Sequence, residues 1–409
     1  MPFLVGFKQY VYFFIIFIIL FLLNISYNYS KFNDFKAEPL IKFSGIVNNI
    51  YDKKEYKILK IKTDNLIFFT SISSKLNIKQ NNIISGYLIT KKITFLEYIK
   101  GFYGLTFSLN IKQNKTIINK IQEYIDKQHT SNNMQSLFNA LFLAIPINNE
   151  LRQVCSIYGI SHLVAISGFH LSILSAIFFA LFYIPYNFIH KKYFPYRNKK
   201  FDILILVSVT LGIYLVLTGY VPSLLRAFVM FVVGVFFARS NIKILSYETL
   251  FIVIMIILAL FPSLIFSLSF WFSICGVFYI FLFLQYFKNL PKIWKLLFFN
   301  IWIYLAMNPI VHYFFDTTSI IQLLSPFFTL LFTFFYPLEL LLHIFGYGGL
   351  LDGYLIQAMS LKFDIISKTT PNIIFYMYIL LSIFSIKNKK VFIVLNAFIV
   401  CFTIWLYLL

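Results

Sequence analysis

Negative charge is scarce in this chain. Fifteen Asp and Glu stand against 35 Lys and Arg in 409 residues, and charged residues of both signs make up only 12%, about half the share found in a soluble domain. Cysteine is rarer still. Cys155, Cys275 and Cys401 lie apart, in or beside apolar segments, which excludes a CxxC redox pair and a disulfide framework and leaves buried thiols. No GxxxxGK[ST] occurs anywhere, so ATP hydrolysis through a P-loop is excluded. The six histidines (129, 162, 170, 190, 312 and 343) never fall into HxxxH, HxH or HExxH spacing, so a zinc or two-metal hydrolase is not expected. Repeats of 20–50 residues are also missing.

Apolar residues fill the space that charge leaves. Sixty per cent of the chain is hydrophobic and 21% aromatic, and apolar runs of roughly bilayer-spanning length recur along most of it. A polytopic α-helical membrane protein follows. Spans are expected near 157–184, 201–219, 222–238, 247–262, 264–286, 293–309, 327–346, 372–386 and 391–409, after an N-terminal anchor helix in 1–29. No A-x-A-like cleavage site follows that first segment, so it reads as uncleaved.

Between Ser30 and Thr130 the composition changes. This stretch holds 17 of the 35 basic residues and 8 of the 15 acidic ones, as expected of a water-exposed basic domain. Short β-branched and aromatic runs within 36–112 alternate with polar breaks. Five strands, the last from FLEYIKGFYGLTFSL, predict a small OB-like β-barrel. Residues 113–150 read as amphipathic interfacial helices, and 151–409 as the polytopic domain.

Orientation follows from lysine-rich turns at 188–200, 239–243, 288–295 and 387–390. Placing the first three in the cytoplasm puts the basic domain outside. The fourth joins them only with an extra pass between Pro309 and Pro326. That requirement predicts a short interior helix carrying His312 and Asp316 four residues apart, and eleven crossings in all.

Two stretches place polar residues where hydrocarbon penalises them. GISHLVAISGFH, from Gly159 to His170, heads a long apolar run. On one continuous helix, Ser161, Ala165, Gly168, Ser172 and Ser175 would form a small-residue packing stripe, with Ser167 and His170 sharing a face. GYVPSLLRAFVM, from Gly219 to Met230, places Pro222 in the first turn of a helix. Ser223 and Arg226 then lie on one face of it. Arg226 either snorkels to the interface or presents its planar fork to a phosphate.

Both stretches resemble motifs of the bacterial ComEC DNA-uptake (competence) family. The first matches GxSHLxAxSGxH; the second matches tGxxPSxxRAxxM at Thr218, Gly219, Pro222, Ser223, Arg226, Ala227 and Met230. A third stretch is similar in Phe266, Leu268, Ser269, Phe270 and Gly276, and departs at Ile265 and Ser267, where the family has Gly and Gln. Gln322 stands where the family has Asn. The resemblance implies an inner-membrane channel passing single-stranded transforming DNA from periplasm to cytoplasm, with the OB-like domain in the periplasm. It also implies a short form, ending at Leu409 without the HxHxDH metallo-β-lactamase-like domain that many members add.

On that reading His162, Ser167, Gly168, His170, Ser223 and Arg226 line the DNA path. On the OB-like domain, Lys53, Lys54, Lys57, Lys60 and Lys62 with Tyr51 and Tyr56 bind the strand, cations and stacking rings being what single strands need. The expected partners are single-stranded DNA, membrane lipid, a periplasmic DNA-receptor protein and a cytoplasmic motor or strand-capturing protein, with an oligomer open. No cofactor, metal or catalytic activity is expected. An intramembrane serine hydrolase acting through Ser167 is the alternative, since the AISGFH run resembles the GxSG context of rhomboid-like proteases.

Overall fold

The computed structural model describes residues 7–52, 55–63, 66–73, 76, 78, 82–112, 117–239 and 246–408. They form two compact units, one of Leu4–Lys127 with Ile254–Ser267, the other of Gln128–Val253 with Leu268–Leu409.

The first unit begins with helix α1 (Phe7–Ala37). It runs past the expected anchor boundary because its last turns are wanted in a core. Phe32 and Phe35 are buried there among strand residues. Six strands follow: β1 (Leu40–Asp52), β2 (Tyr56–Lys62), β3 (Ile67–Ser73), β4 (Ile83–Ile89), β5 (Phe102–Tyr103) and β6 (Thr106–Lys112). Period-2 burial puts Phe43, Val47, Leu59, Ile61, Phe68, Ile72, Ile84 and Leu88 on one face, as alternating apolar residues on a half-buried sheet require.

The strand order is β5-β3-β2-β1-β4-β6, antiparallel except for β3 with β5. This is a mixed sheet with two ends, not the closed barrel expected. Its two end strands are nonetheless consecutive in the chain, separated only by Gly104 and Leu105. Gly104 donates its N–H to Phe69 on β3 at 2.8 Å, and Leu105 accepts from Ile89 on β4 at 3.1 Å.

The fifth expected strand is not one element. Its first part is helix α2 (Phe95–Lys100), because Thr94 and Glu97 form a reciprocal capping box, with Glu97 Oε2 2.9 Å from the Thr94 N–H. Two orphan donors of a helix start are satisfied together, and this outweighs the β-propensity of Phe, Tyr and Ile. The T-x-x-E signature was legible. The expected amphipathic helix also divides, into α3 (Ile117–Asp126) and α4 (Asn132–Leu143). Seven of the twelve α4 residues are buried, so α4 is a packed element of the second unit.

The second unit continues with α5 (Asn149–Ile157), the single turn α6 (Ser161–Val164), α7 (Gly168–Tyr193), α8 (Lys199–Leu217), α9 (Pro222–Arg239), the part of α10 (Tyr247–Leu260) up to Val253, α11 (Leu268–Tyr286) and α12 (Lys292–Phe314). It ends with α13 (Ser325–Ile344), α14 (Asp352–Met359), α15 (Asn372–Phe384) and α16 (Lys389–Tyr407). Among the described residues seven helices are long and apolar enough to cross a membrane, and three shorter apolar ones accompany them.

Lipid supplies no hydrophobic drive between helices, so contact there rests on packing and interhelical hydrogen bonds. Trp302 donates to Asn396 Oδ1 at 2.7 Å, Tyr378 donates to the Ala306 carbonyl at 2.6 Å, and Tyr286 stacks on Phe392 at 3.9 Å. These contacts bind α11, α12, α15 and α16 into one aromatic core.

The expected short helix after Pro309 is not formed. His312 lies in the last turns of α12. The chain then leaves the helix, and β7 (Thr317–Thr318) pairs with β8 (Ile366–Ser367). Asp316 is exposed and makes no ion pair with His312, whose Nδ1 faces the Asn308 carbonyl at 3.1 Å. Helix α12 gives His312 Nδ1 its partner while Nε2 has none, and in the polar Asp-Thr-Thr-Ser run Thr317–Thr318 form the strand and Ser319 precedes the 3-10 turn Ile320–Leu324.

Candidate functional site

The 159–170 stretch is not one helix. Gly159 has φ +67, and a Cβ there would come 3.2 Å from Gln322 Cγ, so both its conformation and its neighbour call for glycine. After the single turn α6, Ala165 is extended and Ser167 (φ −135) is the N-cap of α7. The small-residue stripe from Ser161 to Ser175 is therefore broken, and His162 and His170 sit on separate elements. The reason is the cap: Ser167 stops the helix from extending backwards by satisfying its first turn.

His170 completes that cap. Ser167 N donates to His170 Nδ1 at 3.3 Å, and Ser167 Oγ accepts from Phe169 N at 3.3 Å. An N–H can only donate, so Nδ1 is the bare nitrogen and the ring proton is on Nε2. The ring lies edge-on to Tyr336 at 4.9 Å and to Phe332 at 5.2 Å between centroids. His170 is fully buried and Nε2 has no hydrogen-bond acceptor. His162, in contrast, is exposed and lies 3.3 Å from Thr329 Oγ1.

The second motif packs against the first. Two residues with positive φ, Gly219 (+73) and Tyr220 (+61), turn the chain from α8 into α9. Ser223 Oγ then donates to the Ile166 carbonyl at 2.6 Å, and a Cβ on Gly168 would lie 3.5 Å from Ala227 Cβ. Arg226 is only 2% exposed, so it does not snorkel. Its guanidinium donates to the carbonyls of Ser269 at 2.7 Å and Phe270 at 3.2 Å at the start of α11, and to that of Ser223 at 3.4 Å. Ser269 and Phe270 belong to the third stretch. Three motifs far apart in sequence thus meet at one seam between α7, α9 and α11.

A Ser–His pair also invites the hydrolase alternative, with Ser167 Oγ 3.4 Å from His170 Nδ1. The cap geometry explains the approach. Nδ1 is already engaged by a backbone N–H, and no carboxylate among the described residues hydrogen-bonds Nε2.

Gln322 is a hub that sequence reasoning undervalued. Its amide donates to the carbonyls of Ser156 and Thr317 at 2.9 and 3.0 Å, and its oxygen accepts from Tyr407 at 3.2 Å. Also missed was a buried line of His129, Asp352, His343 and Glu339. Its members are scattered over 223 positions, and only the Glu339–His343 spacing on one helix offered a signal.

On the sheet, Tyr51, Tyr56, Lys60 and Lys62 share one face by register, with Phe69 beside Lys60. The Lys60 ammonium lies 5.7 Å from the Phe69 ring centroid, and Tyr51 is 6.5 Å from that ring. Burial first, and then repulsion from Lys62, holds the Lys60 ammonium below the usual lysine range; burial does the same to Lys62. Both shifts are ones that a nearby anion would reverse. Lys57 pairs with Ile72 and has the opposite parity, on the core side. Lys53 and Lys54 lie outside the described residues.

A bundle of apolar helices built around a buried arginine and a cap-closing histidine defines a polytopic membrane protein with a polar interior seam. Residues 146–409 match the Competence protein family, and the chain belongs to it. Membership implies a role in DNA uptake. No curated protein and no solved structure matches the chain.

Proposed function

We propose that the chain is a ComEC-type channel that passes single-stranded DNA from the periplasm to the cytoplasm through the bacterial inner membrane. The observation that carries this reading is the convergence of the three motifs at the α7–α9–α11 seam. The path lies along that seam, closed in this conformation: Ser167, Gly168, His170 and Ser223 border it, Arg226 holds α9 to α11, and exposed His162 stands at its mouth. The deciding experiment is a knockout assayed for labelled DNA. Transformation is lost while DNA still enters the periplasm. DNA reaching the cytoplasm in the knockout would refute the channel.

The basic sheet receives the strand outside. The full-length protein in nanodiscs binds single-stranded DNA without sequence preference, and affinity falls with salt at a log–log slope of about 0.7 per phosphate neutralised. Changing Lys60 and Lys62 together to Glu removes roughly two such contacts and flattens the slope accordingly. Binding that ignores salt would refute the electrostatic account.

Orientation follows from the same reading. The β7–β8 pairing, with Lys368 N donating to Asp316 O and Thr370 N to His312 O, both at 2.9 Å, sets the entry to α15 beside the exit of α12. Helix α13 and residues 345–365 are then an excursion that leaves and returns. All four lysine-rich turns fall on the cytoplasmic side without a crossing at 309–326. A reporter active only outside the cytoplasm is active when fused after Asn110, and silent after Asn198 or Asn388. Activity after Asn388 would overturn this arrangement.

Drawing a polyanion inward against an inside-negative potential costs about 2.3 kcal/mol per charge per 100 mV. A cytoplasmic motor, capture of the strand or ion coupling must supply it.

A further inference from the structure

Four buried ionisable side chains lie in a line in the second unit, hydrogen-bonded side chain to side chain from Asp352 through His129 to His343, with the Glu339 carboxyl close by. His129 Nδ1 is 3.0 Å from both carboxyl oxygens of Asp352, and His129 Nε2 is 2.9 Å from His343 Nε2. His343 Nδ1 is 2.7 Å from the Glu339 carbonyl and 3.4 Å from its Oε2. Asp352 is 8% exposed, His129 5%, His343 4% and Glu339 0%. Neither Glu339 carboxyl oxygen has a hydrogen-bond partner, which is rare for a buried polar group.

Protons on this line can be counted. The Glu339 carbonyl only accepts, so His343 Nδ1 carries a hydrogen. Two Nε2 atoms at 2.9 Å need one hydrogen between them. With Asp352 ionised, His129 Nδ1 carries a third, and the two imidazoles share one positive charge opposite the carboxylate. If the Asp352 hydroxyl donates instead, the imidazoles hold two hydrogens and are neutral. Both forms hold the same number of protons. Removing the shared proton sets two lone pairs against each other at contact distance, and the rings must separate.

The surroundings are shaped around these rings. Phe138 lies flat on His129, with centroids 4.6 Å and planes 5° apart. A Cβ on Gly348 would come 2.6 Å from His343 Nε2. Gln128 bridges the His343 carbonyl and the Gly348 N–H. Among the neighbouring ionisable side chains, Tyr336 lies on α13, Tyr214 donates to the Phe142 carbonyl, Tyr354 is exposed on α14, and Lys127 stands two positions before His129 in the chain. Helix α13 then carries the state of the line to the seam, since its Phe332 and Tyr336 hold His170 while Phe142 touches both Tyr336 and His343.

We propose that Asp352, His129, His343 and Glu339 form a proton-binding relay, in which loss of the proton shared by the histidines parts α13 from the His129 turn. Glu339 is the acceptor at its inner end. Coupling of this proton to DNA movement rests on the channel reading above.

Two measurements separate the claims. Full-length protein with 15N-labelled histidine in nanodiscs shows one hydrogen coupled to two ring nitrogens, absent in His343→Gln. Two imidazoles with no shared hydrogen at any pH would overturn the relay. In proteoliposomes, an imposed inward proton gradient speeds entry of single-stranded DNA at least about fivefold, the low end of ordinary coupling. Near-isosteric Glu339→Gln removes that stimulation but retains gradient-free entry. Equal entry with and without the gradient in the unaltered protein would overturn coupling. No entry in either condition would refute the channel, while the relay would still stand or fall on the shared hydrogen.

Discussion

Arg226→Ala is expected to abolish transformation by removing the protein from the membrane. The guanidinium donates to the Ser269 and Phe270 carbonyls from a site that is 2% exposed. Hydrogen bonds to a charged group contribute about 1.5–3 kcal/mol each, so roughly 3–6 kcal/mol joining α9 to α11 disappears, comparable to the whole stability of many domains. Arg226→Lys keeps the charge without the planar fork, and one ammonium cannot reproduce the geometry of both bonds. Membrane abundance and thermal stability should fall by about half as much. The check is immunoblotting of membranes beside transformation frequency. A lysine variant of normal abundance that does not transform would mean that Arg226 touches the passing strand, and an alanine variant normal in both would remove the residue from the site.

The second large effect belongs to His170, where cap and path can be pulled apart. Asparagine retains an acceptor near the position of Nδ1, so Ser167 N–H keeps its partner and α7 its first turn. It loses the imidazole ring that lies edge-on to Tyr336 and Phe332. His170→Asn should therefore accumulate normally and lose transformation. His170→Leu should lose both, because the broken cap costs about 1 kcal/mol and leaves a buried donor unpaired. Normal transformation in the asparagine variant would reduce His170 to a capping residue.

The first of these expectations rests on contacts that no spacing in the chain announced. Arg226 could be identified as out of place in hydrocarbon, since its cost does not depend on its neighbours. Whether it snorkelled, lined a path or held two helices together turned on Ser269 and Phe270, more than forty positions away. His170 was treated as lying on the same helix as His162. A helical wheel assumes an unbroken helix, and Ser167 breaks it by capping. The capping signals at Thr94–Glu97 and Ser167–His170 were both local and readable, the second with histidine in the acceptor's place.

Composition and periodicity determined the membrane class, the positions of most apolar helices and the basic β-rich segment, because hydropathy is a sum over local residues, while the family came from the resemblance of short motifs. Tertiary structure decided the rest. The meeting of the three motifs, the pairing of β7 with β8, and the His129–His343 line each depend on which backbone donors and acceptors are already taken. Buried polar groups accept few alternatives, and that choice is made only when distant segments come within hydrogen-bond reach.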